Sequence, residues 1–486
     1  MNSVAQNFTC IPEVNCWRLV EAERAALIID AADYFKLARQ AMLQARSQIM
    51  LIGWDFDTRV VLDPECSDVA PSRLGDFLSW LAKERPGLDI RILNWNVGAI
   101  KLLGRGSTIF RLARWMAHPG ITFKLDGAHP VGACHHHKVV VIDDRLAFCG
   151  GIDMTAARWD TRAHIERDRR RRRPTTGRLY GPWHDASIAV TGDAARALGD
   201  YARERWRHAG GGAVDRPTQG ADPWPQSLDP HFSNVSLAIA RTTAAYDGRQ
   251  SIREIERLYL DMIAATRHCF YAENQYFASR AIAAAIAKRL DEPKGPEFVL
   301  VQPCSAEGWL EEEVMGGARA RLLQFLRRAD RYGRLRFYTP VTAEGGDIYV
   351  HSKLTIVDDM MIRVGSANMN NRSMGFDSEC DVMIDGRLAD PKVRNRIAAI
   401  RTDLLAEHLG VDASAVESAL DAEGSLIAAI EHLRGPGRTV RPLEVEPPAA
   451  PQKIIADSEL LDPEGAEEPF EPLARPGLLA GVGHYT

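Results

Sequence analysis

The sequence has no paired cysteines, no apolar run of membrane-spanning length and no large excess of charge of one sign. Each absence removes a class of protein. The eight cysteines in 486 residues include no CxxC pair, which argues against a disulfide framework and fits reduced, buried thiols. No stretch reaches the roughly 18 consecutive apolar residues a membrane helix needs; the longest apolar pieces, such as Ile49 to Trp54, have the length of strands. The opening MNSVAQNFTCIPEVNCWRL lacks a basic segment followed by an apolar one, so no secretory leader is expected and the expected location is the cytoplasm. A net charge of −5 argues against a dedicated nucleic-acid binder, because phosphate affinity of that kind rests on clustered Lys and Arg. What remains, 45% hydrophobic and 26% charged residues, is the composition of a globular chain too long for one ordinary core.

An internal repeat organises that length. Helical apolar spacing over Tyr34 to Ala45 runs into the strand-like IMLIGWDF, and Ile255 to Ala265 runs likewise into FYAENQYF. Each half then offers a strand (Ile90 to Trp95; Phe298 to Gln302), a basic helix (Ile109 to Met116; Ala318 to Arg328) and another strand (Ile121 to Lys124; Leu335 to Tyr338). Alternating helices and short strands predict an α/β fold of two similar sandwich halves about a pseudo-twofold axis. The first half is expected over 1–215 and the second over 230–411, with a Gly-, Pro- and Asp-rich linker at 216–229. Residues 412–486 are expected to form a small helical extension, from Asp412 to Arg434, and an extended acidic, Pro-rich tail.

After the last of those strands stand HHHKVVVID in one half and VHSKLTIVD in the other. His136, Lys138 and Asp143 make HxKxxxxD, and His351, Lys353 and Asp358 repeat it, each 215 positions after its counterpart. The register continues: Gly150 matches Gly365, and Asp153 matches Asn368. One such motif is weak; two in one register are strong, because a core has no reason to repeat His and Lys together. Side chains alternate along a strand, so each His shares a face with its Lys. Two His-Lys pairs converging on one pocket suit a phosphodiester: ammoniums hold the anionic oxygens, one imidazole attacks phosphorus and the other protonates the departing alcohol. Asp185 and Glu379 stand in matching places to orient the rings. The turns at Gly150-Gly151 and Gly365-Ser366 are expected to let backbone approach the ligand. The triplet His135-His136-His137 beside Cys134 raises zinc, but neighbours on a strand face opposite ways and cannot share one ion, so no metal site is expected.

These residues resemble the phospholipase D superfamily over about residues 15–435, most closely its bacterial phospholipase D-like members. The likeness lies in GWDFDTR, CHHHKVVVIDDRLAFCGGIDM, RWDT, YGPWHD, YAENQYF and IYVHSKLTIVDD…VGSANMNNRSMGFDSECDV. It implies two facing α/β sandwiches and a metal- and cofactor-free reaction through a phosphohistidine. His136 would be the nucleophile and His351 the acid. Lys138, Lys353 and Asn368 match phosphate-binding positions, with Ser366 and Asp153 beside them. Asp143 and Asp358 are grouped with the catalytic motif, although such aspartates usually support the strand and nearby loops. Asp153 departs from the commoner Asn, so it must be protonated, turned away or paired with a cation. Glu273, Asn274 and Gln275 resemble a pocket-lining ENQ segment, and His184 is placed at the pocket rim.

The activity so implied is hydrolysis or headgroup exchange of glycerophospholipids by a monomer touching the inner membrane face. Arg167 to Arg173 would supply contact with anionic headgroups. A cardiolipin-synthase-type phosphatidyltransferase and a metal-independent nuclease are the alternatives, and two intact motifs argue against a dead scaffold. Trp54, Trp159 and Trp183 are expected in core packing.

Overall fold

The computed structural model describes residues 10–97, 112, 114–115, 118–218, 220–305, 316–387 and 390–444. The expected helix over Ile109 to Met116 and most of the expected tail fall outside them. The strands are β1 (Arg18–Ile29), β2 (Gln48–Gly53), β3 (Asp89–Trp95), β4 (Ile121–Asp126), β5 (Val139–Ile142), β6 (Leu146–Gly150), β7 (Trp183–His184), β8 (Ala186–Thr191) and β9 (Phe232–Thr243). They continue as β10 (Ile252–Arg253), β11 (Cys269–Asn274), β12 (Glu297–Val301), β13 (Leu335–Val341), β14 (Tyr349–Val350), β15 (Lys353–Val357), β16 (Met361–Gly365), β17 (Glu379–Asp385) and β18 (Thr439–Pro442).

Sixteen of them form one sheet in the order β18-β13-β12-β11-β15-β16-β17-β9-β1-β8-β6-β5-β2-β3-β4, with β10 on β9. Read outward from the antiparallel β1–β9 seam, the two arms have the same order. Thus β8, β6, β5, β2, β3 and β4 answer to β17, β16, β15, β11, β12 and β13. In each arm the outer three strands are parallel and the rest antiparallel. The arms fold toward each other, so β6 and β8 lie against β16 and β17. A shared core fills the space, with Val139, Val141, Ile188 and Val190 from one half and Leu354, Ile356, Val364 and Val382 from the other. Burial on both faces is why β5 (VVVI) reads as a continuous apolar run, whereas β15 (KLTIV), buried throughout, still alternates Lys353 and Thr355 with Leu354 and Ile356.

Helices pack on the sheet in matched positions: Ala31–Met42 with Glu254–Ala265, Leu74–Glu84 with Arg280–Leu290, and Asp193–His208 with Pro391–Leu409, the last pair joining the shared core. The Asp193–His208 helix approaches the sheet closely because its buried face is lined by Ala194, Ala197, Leu198, Gly199 and Ala202. Among the described residues, 210–231 carry no helix or strand. The extension holds the two short helices expected from its sequence, Ala413–Glu423 and Leu426–Leu433. It then departs from the expected loose tail, because Thr439–Pro442 closes the exposed edge of β13 as an antiparallel strand. An open edge there would present unpaired backbone groups.

Candidate active site

The two motifs sit at equivalent places, each histidine just ahead of a central strand that is buried on both faces and therefore rigid. Across the halves the backbone is crossed. The amides of His136 and His137 donate to the carbonyl of Ser378, each at 2.9 Å, and the amide of His351 donates to the carbonyl of His184 at 2.8 Å. The parallel pairing of β7 with β14 adds to the same junction.

The orienting carboxylates are crossed too. Nδ1 of His136 lies 3.0 and 3.1 Å from the two carboxylate oxygens of Glu379 in the second half. Nδ1 of His351 lies 2.7 Å from Oδ2 of Asp185 in the first. Each half therefore aims the other's imidazole, and neither half holds a complete site. With Nδ1 committed, Nε2 is the atom each ring presents to the pocket. Burial, then the ammoniums of Lys138 and Lys353, hold His136 well below its ordinary pKa. Burial, Lys353, Arg158, Lys138 and His136 itself do the same to His351. Burial pushes Asp185 up to about 6 against the pull of Lys353. Glu379 is pushed up to about 8, although Ser366 and Ser373 donate to it. Their hydroxyls reach its two oxygens at 2.5 and 2.6 Å. Both Glu379 oxygens already accept a serine hydroxyl, so the carboxylate is arranged to accept from Nδ1 of His136, a tautomer that leaves Nε2 as the lone pair.

Both lysines fold back toward the pocket, donating to the carbonyls of their own histidines. Lys138 Nζ also pairs with Asp153 Oδ2 at 3.1 Å, and Lys353 Nζ donates to Gln275 Oε1 at 3.0 Å. This resolves the anomaly of Asp153: it is paired with a cation. Its other oxygen accepts from the amides of Trp54 and Asp55 at 3.1 and 3.4 Å. Asn368, its counterpart, keeps a buried side-chain oxygen with no partner. Two ammoniums beside two imidazoles make this pocket hostile to a cation and receptive to an anion.

Several expectations are corrected. Asp143 and Asp358 do not face the pocket. Asp143 accepts from the amides of Arg46, Ser47 and Gln48 at 2.6, 2.8 and 2.7 Å. Asp358 accepts from those of Arg267, His268 and Cys269 at 2.7, 2.8 and 2.9 Å. Both stand in the turns after β5 and β15 with φ of 53° and 54°, followed by Asp144 and Asp359 at 52° and 54°. Asp tolerates that left-handed backbone better than most residues do. Ser366 spends its hydroxyl on Glu379 instead of facing a phosphate. His184 is not at the rim but fully buried behind Asp185. Glu273 turns away from the pocket, accepting from Ser352 Oγ at 2.9 Å and Tyr271 Oη at 2.7 Å, while Gln275, two residues on, reaches Lys353. The glycines serve packing: a Cβ at Gly150 would fall on Ser187, at Gly151 on Asp185, and at Gly365 on Asp381. They let the strands close up so that the carboxylates of Asp185 and Glu379 reach across.

Five neighbours of the site, Trp54, Trp95, Trp183, Tyr349 and Arg158, were not expected there. Trp54, assigned to the core, lies edge-on to His136 with ring centres 6.5 Å apart and stacks on Trp95 at 6.1 Å. Trp183 stacks on Tyr349 at 4.5 Å and stands 5.1 Å from the His351 ring, with the Arg158 guanidinium 4.1 Å over its other side. The segments that carry the resemblance hold four of them, Trp54 in GWDFDTR, Arg158 in RWDT, Trp183 in YGPWHD and Tyr349 in IYVHSK. The Arg167–Arg173 run is partly consumed by the fold: Arg171 is buried on Asp160, and Arg170 pairs with Asp168.

Comparison with known proteins gives this geometry a family. The family model described as Phospholipase D matches residues 338–425, the segment holding the second motif. Phospholipase D A of Dictyostelium discoideum is 27% identical over 416 residues, 72% of this chain and 32% of that protein. Phospholipase D1 of Schizosaccharomyces pombe is 23% identical, covering 80% of this chain and 36% of its own length. The chain thus spans about a third of these curated relatives. Among solved structures, phosphatidylserine synthase of Haemophilus influenzae superposes with a TM-score of 0.54 at 12% identity, over 81% of this chain and 88% of that one, a likeness of fold. Doubled HxKxxxxD strands, crossed carboxylates, a mirrored sheet and these relatives lead to one conclusion: the chain is similar to the phospholipase D superfamily in its motifs and in its fold.

Proposed function

We propose that the chain is a phospholipase D-type phosphodiesterase that hydrolyses glycerophospholipids, or moves their phosphatidyl group to another alcohol, through a phosphohistidine. The observation that carries this reading is the crossed pair of oriented imidazoles, each with its own ammonium. His136, held neutral with Nδ1 tied to Glu379, attacks phosphorus through Nε2. His351, tied to Asp185, gives a proton from Nε2 to the departing headgroup oxygen, then takes one from the incoming water or alcohol. The arriving phosphodiester anion offsets the ammoniums that otherwise keep His351 unprotonated. Lys138, Lys353 and the Asn368 amide receive the non-bridging oxygens as charge builds on them. Both halves of the site come from one chain, so a monomer suffices. Arg167, Arg169 and Arg173 are exposed and support contact with anionic headgroups.

Incubation with phosphatidylcholine, phosphatidylethanolamine and phosphatidylglycerol, with and without ethanol, tests this directly. Mass analysis is expected to find phosphatidic acid, and phosphatidylethanol where ethanol is present. Neither product from any lipid, with metal-free cleavage of single-stranded DNA instead, would move the chain to the nuclease reading.

A pH profile follows from Lys353. Burial, opposed by Asp185 and reinforced by Lys138, brings its ammonium down to about 7. It is charged below that pH and loses its charge above it. In the free enzyme the attraction for phosphate should therefore fade as pH rises through 7, so kcat/KM declines there through a rising KM. Bound phosphate restores the proton, so kcat itself declines only at higher pH. Lys353→Arg, whose charge persists, should shift the kcat/KM limb upward; an unmoved limb would assign it to another group.

A further inference from the structure

Directly behind Asp185 lies a second cluster that the reaction does not use. Asp30 at the end of β1, His164, His184 in β7 and Glu407 in the Pro391–Leu409 helix bring one ligand-type atom each within 4.8 Å of one another. All are buried, at 1%, 1%, 0% and 8% exposure. His164 Nε2 lies 3.4 Å from Asp30 Oδ2 and 3.1 Å from Glu407 Oε1, and His184 Nδ1 lies 3.4 Å from Asp30 Oδ1 and 3.1 Å from the same Glu407 oxygen. Ligands about 2.0–2.1 Å from a tetrahedral zinc ion stand about 3.3–3.4 Å apart. The four distances from the two rings, which use both Asp30 oxygens, are close to that spacing, and one ligand atom from each residue lies within 4.8 Å of the other three.

The outer contacts fit as well. The remaining nitrogen of each ring is held by a carboxylate, His164 Nδ1 by Asp160 at 2.9 Å and His184 Nε2 by Glu273 at 2.8 Å. Such contacts fix the tautomer and aim a metal-binding ring. The independent sign of a missing partner is Asp30. Its Oδ2 is buried without any hydrogen bond, and among the described residues no Lys or Arg reaches it within ion-pair distance, the two rings being its only charge partners. A buried carboxylate oxygen left so is costly. The backbone is bent to deliver these groups: Asp30 has φ 66° and ψ 153°, a conformation nearly confined to glycine, and His164 has φ 42°. Two guanidiniums flank Glu407, Arg162 at 2.5 Å from Oε2 and Arg438 at 3.5 Å from Oε1; the first leaves Oε1 to the cluster and, among the described residues, the second is the guanidinium that competes for it.

We propose that Asp30, His164, His184 and Glu407 hold a structural zinc ion that pins the two halves together and braces His351. Three ligands come from the first half and Glu407 from the second. Asp30 also exchanges backbone contacts with Asp185, accepting its amide on Oδ1 at 3.0 Å and donating to its carbonyl at 2.8 Å, while His184 receives the His351 amide. The ion touches no substrate and takes no part in bond making; the four ligands are positioning residues.

The untagged full chain, expressed with zinc in the medium, should carry about one zinc per molecule by elemental analysis. Exchange for Co2+ should give the intense visible bands of tetrahedral cobalt. Chelation should lower the melting temperature and kcat with little change in KM, and added Zn2+ should restore both. His164→Gln should lose the ion, whereas His408→Gln, which touches Glu273 but is not a ligand, should keep it. A chain that contains no zinc and takes up neither Zn2+ nor Co2+, or a His164→Gln variant that binds zinc as the wild type does, overturns the proposal and leaves a hydrogen-bonded network only. Metal content is read apart from lipid turnover, so this failure and a failure of the phospholipase reading are distinguishable.

Discussion

Replacement of His136 by alanine is expected to lower turnover by at least ~10⁴, because the variant loses the atom that bonds to phosphorus, and no neighbouring group can take its place. His351→Ala should be different in kind. It removes the proton donor, worth ~10²–10⁴ on a lipid whose headgroup alcohol leaves poorly as an alkoxide. With a phosphodiester carrying a p-nitrophenyl group, which departs without a proton, the His351→Ala variant should recover most of that loss in the first step, whereas His136→Ala should not. A burst of p-nitrophenol followed by slow turnover is expected, since the phosphohistidine then waits for a water that no base activates. Single-turnover kinetics on both substrates check this. If the leaving group rescues His136→Ala and not His351→Ala, the two roles are reversed. Nothing in the near-symmetry of the two strands forbids that. The assignment follows the resemblance, which makes the first-motif histidine the nucleophile; the carboxylates behind the rings also differ, a serine-braced Glu379 behind His136 and Asp185 behind His351.

The second large effect concerns stability. Asp143→Ala removes one carboxylate that accepts three backbone amides at the entrance to β2. Hydrogen bonds to a charged group contribute about 1.5–3 kcal/mol each, and amides left unpaired add to the loss. A destabilisation of about 3 kcal/mol or more is therefore expected, at the large end for a single substitution. Urea unfolding should show a lower midpoint with an unchanged slope. Turnover per folded molecule should stay within about threefold, against the ~10⁴ expected at His136. Asp358→Ala should behave alike through Arg267, His268 and Cys269. An unaltered midpoint with abolished turnover would return both aspartates to the chemistry. The motif's third residue thus belongs to folding: it ties the turn after the catalytic strand to the start of the strand beside it, and so holds His136 or His351 at a set height in the sheet.

Much of this was legible along the chain because it is local. Period-two alternation places His136 with Lys138, and a repeat offset of 215 positions implies a mirrored partner, since a sequence that folds one way once will do so again. The α/β alternation of amphipathic helices with short apolar runs is likewise written residue by residue. Asp185 and Glu379 could be picked out because each opens the matching strand segment in its half.

Other features depended on groups far apart in sequence. Asp153 could be placed only when Lys138 was found against it, and Glu273 only when its side chain was seen to turn away from Lys353 while Gln275 turned toward it. Trp54 and Trp183 looked like core residues because aromatic side chains beside strands usually are; their nearness to the imidazoles comes from loops whose paths no local pattern dictates. Gly150, Gly151 and Gly365 were read as making room for a ligand, yet they make room for neighbouring strands, a distinction that only the packed sheet can draw. His184 and Glu407 are 223 residues apart, and nothing in either segment anticipates the other.

The amino-acid order by itself determined the repeated strands and helices of each half, the doubling and which four side chains make the two His-Lys pairs, since these follow from backbone periodicity and side-chain type. The crossing was decided only in three dimensions: that His136 is held by Glu379 and His351 by Asp185, each from the opposite half. The physical reason is that this pairing arises where two arms of one sheet fold over a common core, and the burial that sets the proton on each ring is a property of the closed pair rather than of either strand.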